Sequence, residues 1–317
     1  MPNSAMPDHG RRRFVAALGG TAVLTLWPKL PAFAAAQDAR LLVVMLRGAM
    51  DGLHLLPPIG DPGYARARGA LAVTDGLALD GNFALHPQMR FAHELYGKKQ
   101  LAPLLATAPP YRQRSHFDAQ DCLENGTNAP GGSRSGWLGR CVAAMPTVEG
   151  VAVASVMPLS LRGAAHAETW SPPMAQALPS TLLQQLQPLY AQDARLSAVF
   201  ADAVNAPDDP GSADAGMAGA RTQFGLPQAM AAAARLMSPA DGPRVGFVED
   251  SGWDTHRGQA AVLQRKFVEL DAGLRAAHDG FGQTWSRTAV VIVTEFGRTV
   301  AVNGTAGTDH GTGGLAL

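Results

Sequence analysis

Five apolar runs of strand length punctuate this chain, and two of them constrain its fold most. "RLLVVMLRG" (40–48) and "TAVVIVTEFG" (288–297) are β-branched or apolar almost throughout. A strand with one wet face alternates in polarity; a strand covered on both faces does not, so these two read as buried in a layered fold. "LAPLLATA" (101–108), "VEGVAVASV" (148–156) and "PRVGFVED" (243–250) add further strand-length runs, each followed by turn residues.

Helix-like segments lie between the runs. Over 258–280, Ala261, Leu263, Phe267, Leu270 and Leu274 fall close to one helical stripe, and Gly280 supplies a stop. A helix interrupted by proline is expected over 180–204, another over 225–238, and a loop or insertion over 205–220. No fixed-period repeat is visible, which argues against solenoids and propellers. Strands alternating with helices predict an α/β fold around a largely parallel central sheet.

Composition narrows the function classes. Lys+Arg and Asp+Glu number 26 each, so no net field draws the chain to nucleic acid or to an anionic membrane. A hydrophobic share of 46% argues against disorder. The N-terminus reads as an export signal: Arg11 to Arg13, an apolar stretch from Phe14 to Trp27, and a small-x-small cleavage pattern at Ala32 to Ala34. That stretch is shorter than the roughly 18 to 20 residues a membrane span needs. Arg-Arg-x-Phe-Val, read from Arg11, points to the twin-arginine translocation machinery and a periplasmic or otherwise exported protein. We therefore expect a signal peptide over 1–36 and one α/β domain over 37–317, with no stable membrane span after signal removal. The chain stops at "GTGGLAL", which reads as the start of another apolar element, so part of the domain is expected beyond it. Cys122 and Cys141 allow a disulfide after export, but serve equally well as two small buried apolar residues.

The polar clusters follow the strand-like runs. After the first comes Asp51 in "RGAMDGLH"; after the second, "YRQRSHFDAQD" with Arg112, Arg114, Ser115, His116, Asp118 and Asp121. "SGWDTHRGQ" follows the fourth and holds Asp254 and His256, while the fifth leads to Glu295 and then to Asp309 and His310. Sites in parallel α/β sheets gather outside the carboxyl ends of the strands. Carboxylates and imidazoles without thiolates suit one or two divalent ions (Zn, Mn, Mg or Ca) of a catalytic kind. Arg112, Arg114 or Arg298 would hold an anionic group. Each residue also has a purely structural reading: Asp51 as a turn residue, Asp254 or Thr255 as the cap of the helix near Gly258, Glu295 paired with Arg298. His54, His86, His93, His166 and His278 lack such neighbours and read as structural or surface residues.

At "LRGAMDGLH", "RSHFDAQD", "GWDTHRGQ", "TEFGRT" and "GTDHG", the chain resembles domain-of-unknown-function family 1501, exported bacterial proteins similar in fold to the alkaline phosphatase and arylsulfatase superfamily. The resemblance runs from about Arg40 to the end. It implies a three-layer α/β/α sandwich with metal ligands at strand ends. In it Asp51 resembles the early aspartate, Asp254 and His256 the later ligand pair, Glu295 a ligand at a strand exit and His310 the final histidine. Ser115 falls where the superfamily has its nucleophile. The chain departs from the superfamily at Glu295-Phe296, where an Asp-His pair is usual. The expectation is a metal-dependent hydrolase of phosphate or sulfate esters. Asp51, Asp254, His256, Glu295, Asp309 and His310 would be metal ligands, Ser115 or a metal-activated water would attack, Arg114 would bind the anionic group, and His116 would protonate the leaving oxygen. The alternative is a non-enzymatic exported protein that keeps a structural metal and assists assembly or secretion of a partner or surface polymer.

Overall fold

The computed structural model describes residues 38–145, 147–172, 180–193, 196–198, 200–201 and 224–317. The expected signal peptide, the loop expected over 205–220 and parts of the helix expected over 180–204 lie outside the described residues. In chain order the strands are β1 (Arg40–Leu46), β2 (Leu77–Ala78), β3 (Ala84–Leu85), β4 (Leu104–Thr107), β5 (Gly150–Val153), β6 (Ala167–Trp170), β7 (Val245–Asp250), β8 (Thr288–Val293) and β9 (Gly314–Ala316). The α-helices are α1 (Gly52–Leu55), α2 (Tyr64–Arg68), α3 (Arg90–Gly97), α4 (His116–Asn125), α5 (Trp137–Ala143), α6 (Ser180–Tyr190), α7 (Leu226–Met237) and α8 (Gln259–Phe281).

Five strands form one parallel sheet in the order β6-β5-β7-β1-β8. The absence of alternation in β1 has a direct cause. Leu42, Val44 and Leu46 enter a core shared with α7 and α8, whereas Val43 and Met45 enter a second core with Leu138 and Val142 of α5. Both faces of the sheet are thus covered by helices, giving a three-layer α/β/α fold. The largest helical contribution comes from α8, whose buried Leu263, Phe267, Leu270, Leu274, Ala277 and Phe281 recur at steps of three and four. Burial of each large side chain contributes about 1.5–3 kcal/mol.

One strand expectation is corrected. The run at 101–108 does not enter the parallel sheet: β4 pairs antiparallel with β9 in a separate ribbon, with an irregularity between Leu105 and Thr107. Leu104 and Leu105 are more than half exposed, so their apolarity does not mark a core strand. The helical readings over 225–238 and 258–280 correspond to α7 and α8, and α6 carries Pro188 within it. No helix among the described residues is long and apolar enough to cross a membrane.

Candidate metal centre

At the carboxyl ends of β7, β1 and β8, three neighbouring strands release three loops side by side. The β1 loop passes so close to the β7 loop that a Cβ at Gly48 would collide with the backbone of Trp253 and Asp254. With φ +119° as well, that position needs glycine. Gly307 has a similar role, since a Cβ there would strike the His256 backbone. His116 arrives differently, at the first turn of α4, whose amino end is capped by Ser115 Oγ accepting from Asp118 N at 3.4 Å.

These loops bring His116, Asp254 and His310 together, with one donor atom from each inside a mutual distance of 4.8 Å. His310 Nε2 lies 2.9 Å from His116 Nε2 and 3.0 Å from His256 Nε2. Asp254 Oδ1 is 3.0 Å from His256 Nε2 and 3.5 Å from His310 Nε2, while Oδ2 is 3.4 Å from His116 Nε2. Bonds of about 2.0–2.2 Å to a tetrahedral ion set its ligand atoms about 3.3–3.6 Å apart. The spacings of 3.4 and 3.5 Å fall in that range, and those of 2.9, 3.0 and 3.0 Å are shorter than it.

The outer nitrogens explain why the inner ones face each other. His116 Nδ1 is 2.7 Å from Glu295 Oε1, His256 Nδ1 is 3.1 Å from Asp309 Oδ1, and His310 Nδ1 is 3.0 Å from the carbonyl oxygen of Arg114. A carbonyl only accepts, and an ionised carboxylate only accepts, so each Nδ1 is assigned the proton. Neutral rings then turn the Nε2 atoms of His116 and His256 toward Nε2 of His310, with His116, Asp254 and His310 forming the mutually close set. Lone pairs about 3 Å apart repel unless a cation or protons lie among them. Oxygen acceptors behind metal-binding imidazoles are the usual means of fixing that tautomer.

The charges match a cation site. Burial acts to raise the Asp254 pKa, but the Arg298 guanidinium, bonded at 2.7 Å, together with His116 and His256, takes it below the ordinary carboxylate value. Glu295 behaves likewise: burial opposes ionisation, and hydrogen bonds from His116, Gln120 and Gly48 overcome it. The Glu295 bond raises the His116 pKa, whereas burial, with the neighbouring His116 charge, lowers that of His310. Asp309 is lowered by its bonds with Asn303 and His256.

Other residues named from the sequence lie elsewhere. Asp51 is the N-cap of α1: Oδ1 accepts from Leu53 N and His54 N, and Oδ2 takes Gln259 Nε2 at 2.6 Å and the buried Arg68 guanidinium. Both of its oxygens are therefore occupied by protein donors in this structure. Glu295 is fully buried behind His116 and does not pair with Arg298. Arg298 has a fully buried side chain that holds Asp254 Oδ1, Thr308 Oγ1 and Thr308 O, so it cannot receive a substrate from solvent. Asp118 takes the Tyr111 hydroxyl and Asp121 binds Asn125 and Gly131 N. The α8 cap is Gly258, with no side-chain bond, rather than Asp254 or Thr255. Arg114 is exposed and donates to His310 O at 3.3 Å. Both cysteines are free. Gln120, one helical turn after His116, joins this group: its Nε2 donates to Glu295 Oε1 at 2.8 Å, and its i, i+4 spacing from His116 on α4 is the signal for it in the sequence.

The sheet and the histidine-aspartate cluster define an α/β protein with a candidate metal centre at the carboxyl ends of its strands. The chain belongs to the family described as protein of unknown function (DUF1501), whose model matches residues 38–317. No match to a curated protein was found. Among solved structures it is similar to a histidine-to-glutamate mutant of TAB5 alkaline phosphatase with Mg bound, at 11% identity and TM-score 0.42 over 88% of this chain and 90% of that one. It is also similar to alkaline phosphatase from the Antarctic bacterium TAB5, at 12% identity and TM-score 0.37 over 86% and 89% of the two chains. At such identities and scores no residue role, metal or activity passes from those proteins to this one.

Proposed function

We propose that this protein is an exported, metal-dependent hydrolase of phosphate or sulfate esters. The observation that carries the reading is the close set of His116, Asp254 and His310, with His256 Nε2 against both Asp254 and His310 and each imidazole held in register by an oxygen acceptor on its far side. His116, His256, His310 and Asp254 would hold the ion. Three imidazoles favour zinc or a comparable transition ion over Mg or Ca, which prefer all-oxygen ligands. Such an ion supplies Lewis acidity to an ester oxygen and to the attacking group.

The chain's own residues supply the rest. Arg114, exposed beside His310, is placed to bind the anionic group of the ester. Ser115 adjoins His116 and is the candidate nucleophile, with its oxygen at the amino end of α4. Arg298 holds Asp254 and the 308–310 segment in place. His116, expected from the sequence to protonate the leaving oxygen, is assigned here to the ion because its Nε2 lies within the cluster. The amino-terminal Arg11 to Phe14 pattern supports twin-arginine export of a signal over 1–36, ahead of a mature domain from residue 37; Arg11→Lys with Arg12→Lys should retain the protein in the cytoplasm.

A second reading has its own support. Four protein donors is the count of a closed structural site, which would suit a non-enzymatic exported protein that assists a partner or surface polymer. A screen of aryl phosphates and sulfates with Zn, Mn, Mg or Ca separates the two. Turnover lost in Asp254→Asn and His310→Ala, with metal-free melting little changed, selects the hydrolase. Metal-dependent melting without turnover of any ester selects the scaffold.

A further inference from the structure

We propose that Glu295 is a positioning residue and not a ligand: its buried carboxylate holds the Nδ1 proton of His116 so that the Nε2 lone pair meets the ion. The inference rests on the reading of the cluster as a divalent-metal site, and extends it to a carboxylate that the strand-exit pattern alone assigns to the metal.

Glu295 Oε1 accepts from three donors: His116 Nδ1 at 2.7 Å, Gln120 Nε2 at 2.8 Å and Gly48 N at 2.8 Å. Oε2 lies 3.0 Å from Thr294 Oγ1. A carboxylate oxygen has about two lone-pair sites, so Oε1 has none left for a cation. The residue is 0% exposed, and its one contact with the cluster is through the far nitrogen of a ring that is itself in the cluster.

The donors to Glu295 are themselves fixed. Arg47 Nη1 donates to Gln120 Oε1 at 2.8 Å. That contact orients the Gln120 amide, leaving its NH₂ for Glu295. Arg47 is in turn held by Glu249 at 2.6 Å and Glu124 at 2.8 Å. His116, Gln120 and Glu124 are spaced by four residues along α4 and form one polar stripe facing this network. A chain of charge-assisted bonds thus runs from β7 and α4 to a single ring nitrogen. Its output is the tautomer of His116.

The test uses the full-length protein and Glu295→Met, which keeps roughly the side-chain length while removing the acceptor for His116 Nδ1. Long-range ¹H–¹⁵N spectra of the metal-free protein should show His116 protonated at Nδ1 in the wild type, with Nε2–H appearing in the variant. Zn²⁺ affinity, measured against a chromophoric chelator, should fall about 10–100-fold. The visible spectrum of the Co²⁺-loaded protein should keep its band positions, because the ligand atoms are the same. A changed Co²⁺ spectrum makes Glu295 a ligand and overturns the proposal, as do unchanged tautomer and affinity. Should Glu295→Met not fold, Gln120→Met carries the same test with a smaller loss, and no loss of affinity there overturns it. If wild-type protein binds neither Co²⁺ nor Zn²⁺, the metal reading itself falls; if His310→Ala loses the ion while Glu295→Met binds as the wild type does, only the positioning role falls.

Discussion

Asp51 and Asp254 look alike in sequence and differ entirely in surroundings. Each follows a strand of the parallel sheet by a few residues. Asp51 is closed off, with Arg68, Gln259 and the first turn of α1 donating to both oxygens. Asp254 is 41% exposed at its side chain, has one guanidinium on Oδ1, and otherwise faces ring nitrogens whose protons are turned away. What separates a structural carboxylate from a candidate ligand is thus the supply of protein donors. Where donors are plentiful, a cation has no vacancy to fill; where lone pairs outnumber protons, a cation is what the arrangement lacks.

The largest effect should come from breaking the closed side of this comparison. Arg68→Ala leaves Asp51 as an unpaired buried charge and strips donors from Thr299 O and Val300 O. Denaturant melts should show a loss of about 3–5 kcal/mol. Asp254→Asn, partly exposed and still able to accept from Arg298, should lose only about 1 kcal/mol without metal. Equal losses at the two positions would erase the distinction.

Next in size is a pH effect on the closed side. His54 is buried against His86 and Phe267, and burial first, with smaller charge effects, pushes its pKa down to about 4. The unfolded chain, with a histidine value near 6.5, binds the proton that the folded chain refuses. Between those values the unfolded state therefore carries more protons, and stability falls as pH falls. The contribution is complete above about 6.5 and is lost progressively toward 4, amounting to about 3 kcal/mol. Urea melts from pH 7.5 to 4.5 should show this slope, and His54→Leu should flatten it.

This contrast also marks where the sequence is legible. The unbroken apolar run at 40–48 identifies a strand covered on both faces, the run at 288–297 leads to the edge strand β8, where Ile292 alone is buried, and the 263–274 stripe identifies α8, because burial leaves a periodic trace. The run at 101–108 leaves the same trace while lying on an exposed ribbon, since apolarity records composition and not which strand is the partner. Asp254, His256, Asp309 and His310 stand out because loops rarely concentrate such donors for folding alone. Their division of labour does not stand out. Arg68 lies seventeen residues beyond Asp51 in sequence and touches it only in the fold, and Glu295 reads as a strand-exit ligand until His116 is found in front of it. Gln120 was within reach through its helical spacing from His116; Arg47, on another element, was not.

Metal addition probes the open side directly. At a free Zn²⁺ concentration about 100 times Kd, the wild type should gain about 2.7 kcal/mol against unfolding. The gain should vanish with a chelator and in His310→Ala, since that ring adjoins both other imidazoles. A gain that survives His310→Ala would move the ion elsewhere in the molecule.

The smallest effect separates two carboxylates that do the same work in different solvents. Glu295 behind His116 is buried, whereas Asp309 behind His256 has a 61% exposed side chain. Water can replace Asp309 as the acceptor for His256 Nδ1, and an asparagine carbonyl at that position still accepts. Asp309→Asn should therefore weaken Zn²⁺ binding only a few-fold, below the about 10–100-fold typical of losing an orienting partner and well below the loss in Glu295→Met. The same chelator competition measures both variants. A loss at Asp309 equal to or larger than that at Glu295 would mean that burial does not set the strength of these outer contacts, or that Asp309 itself reaches the ion.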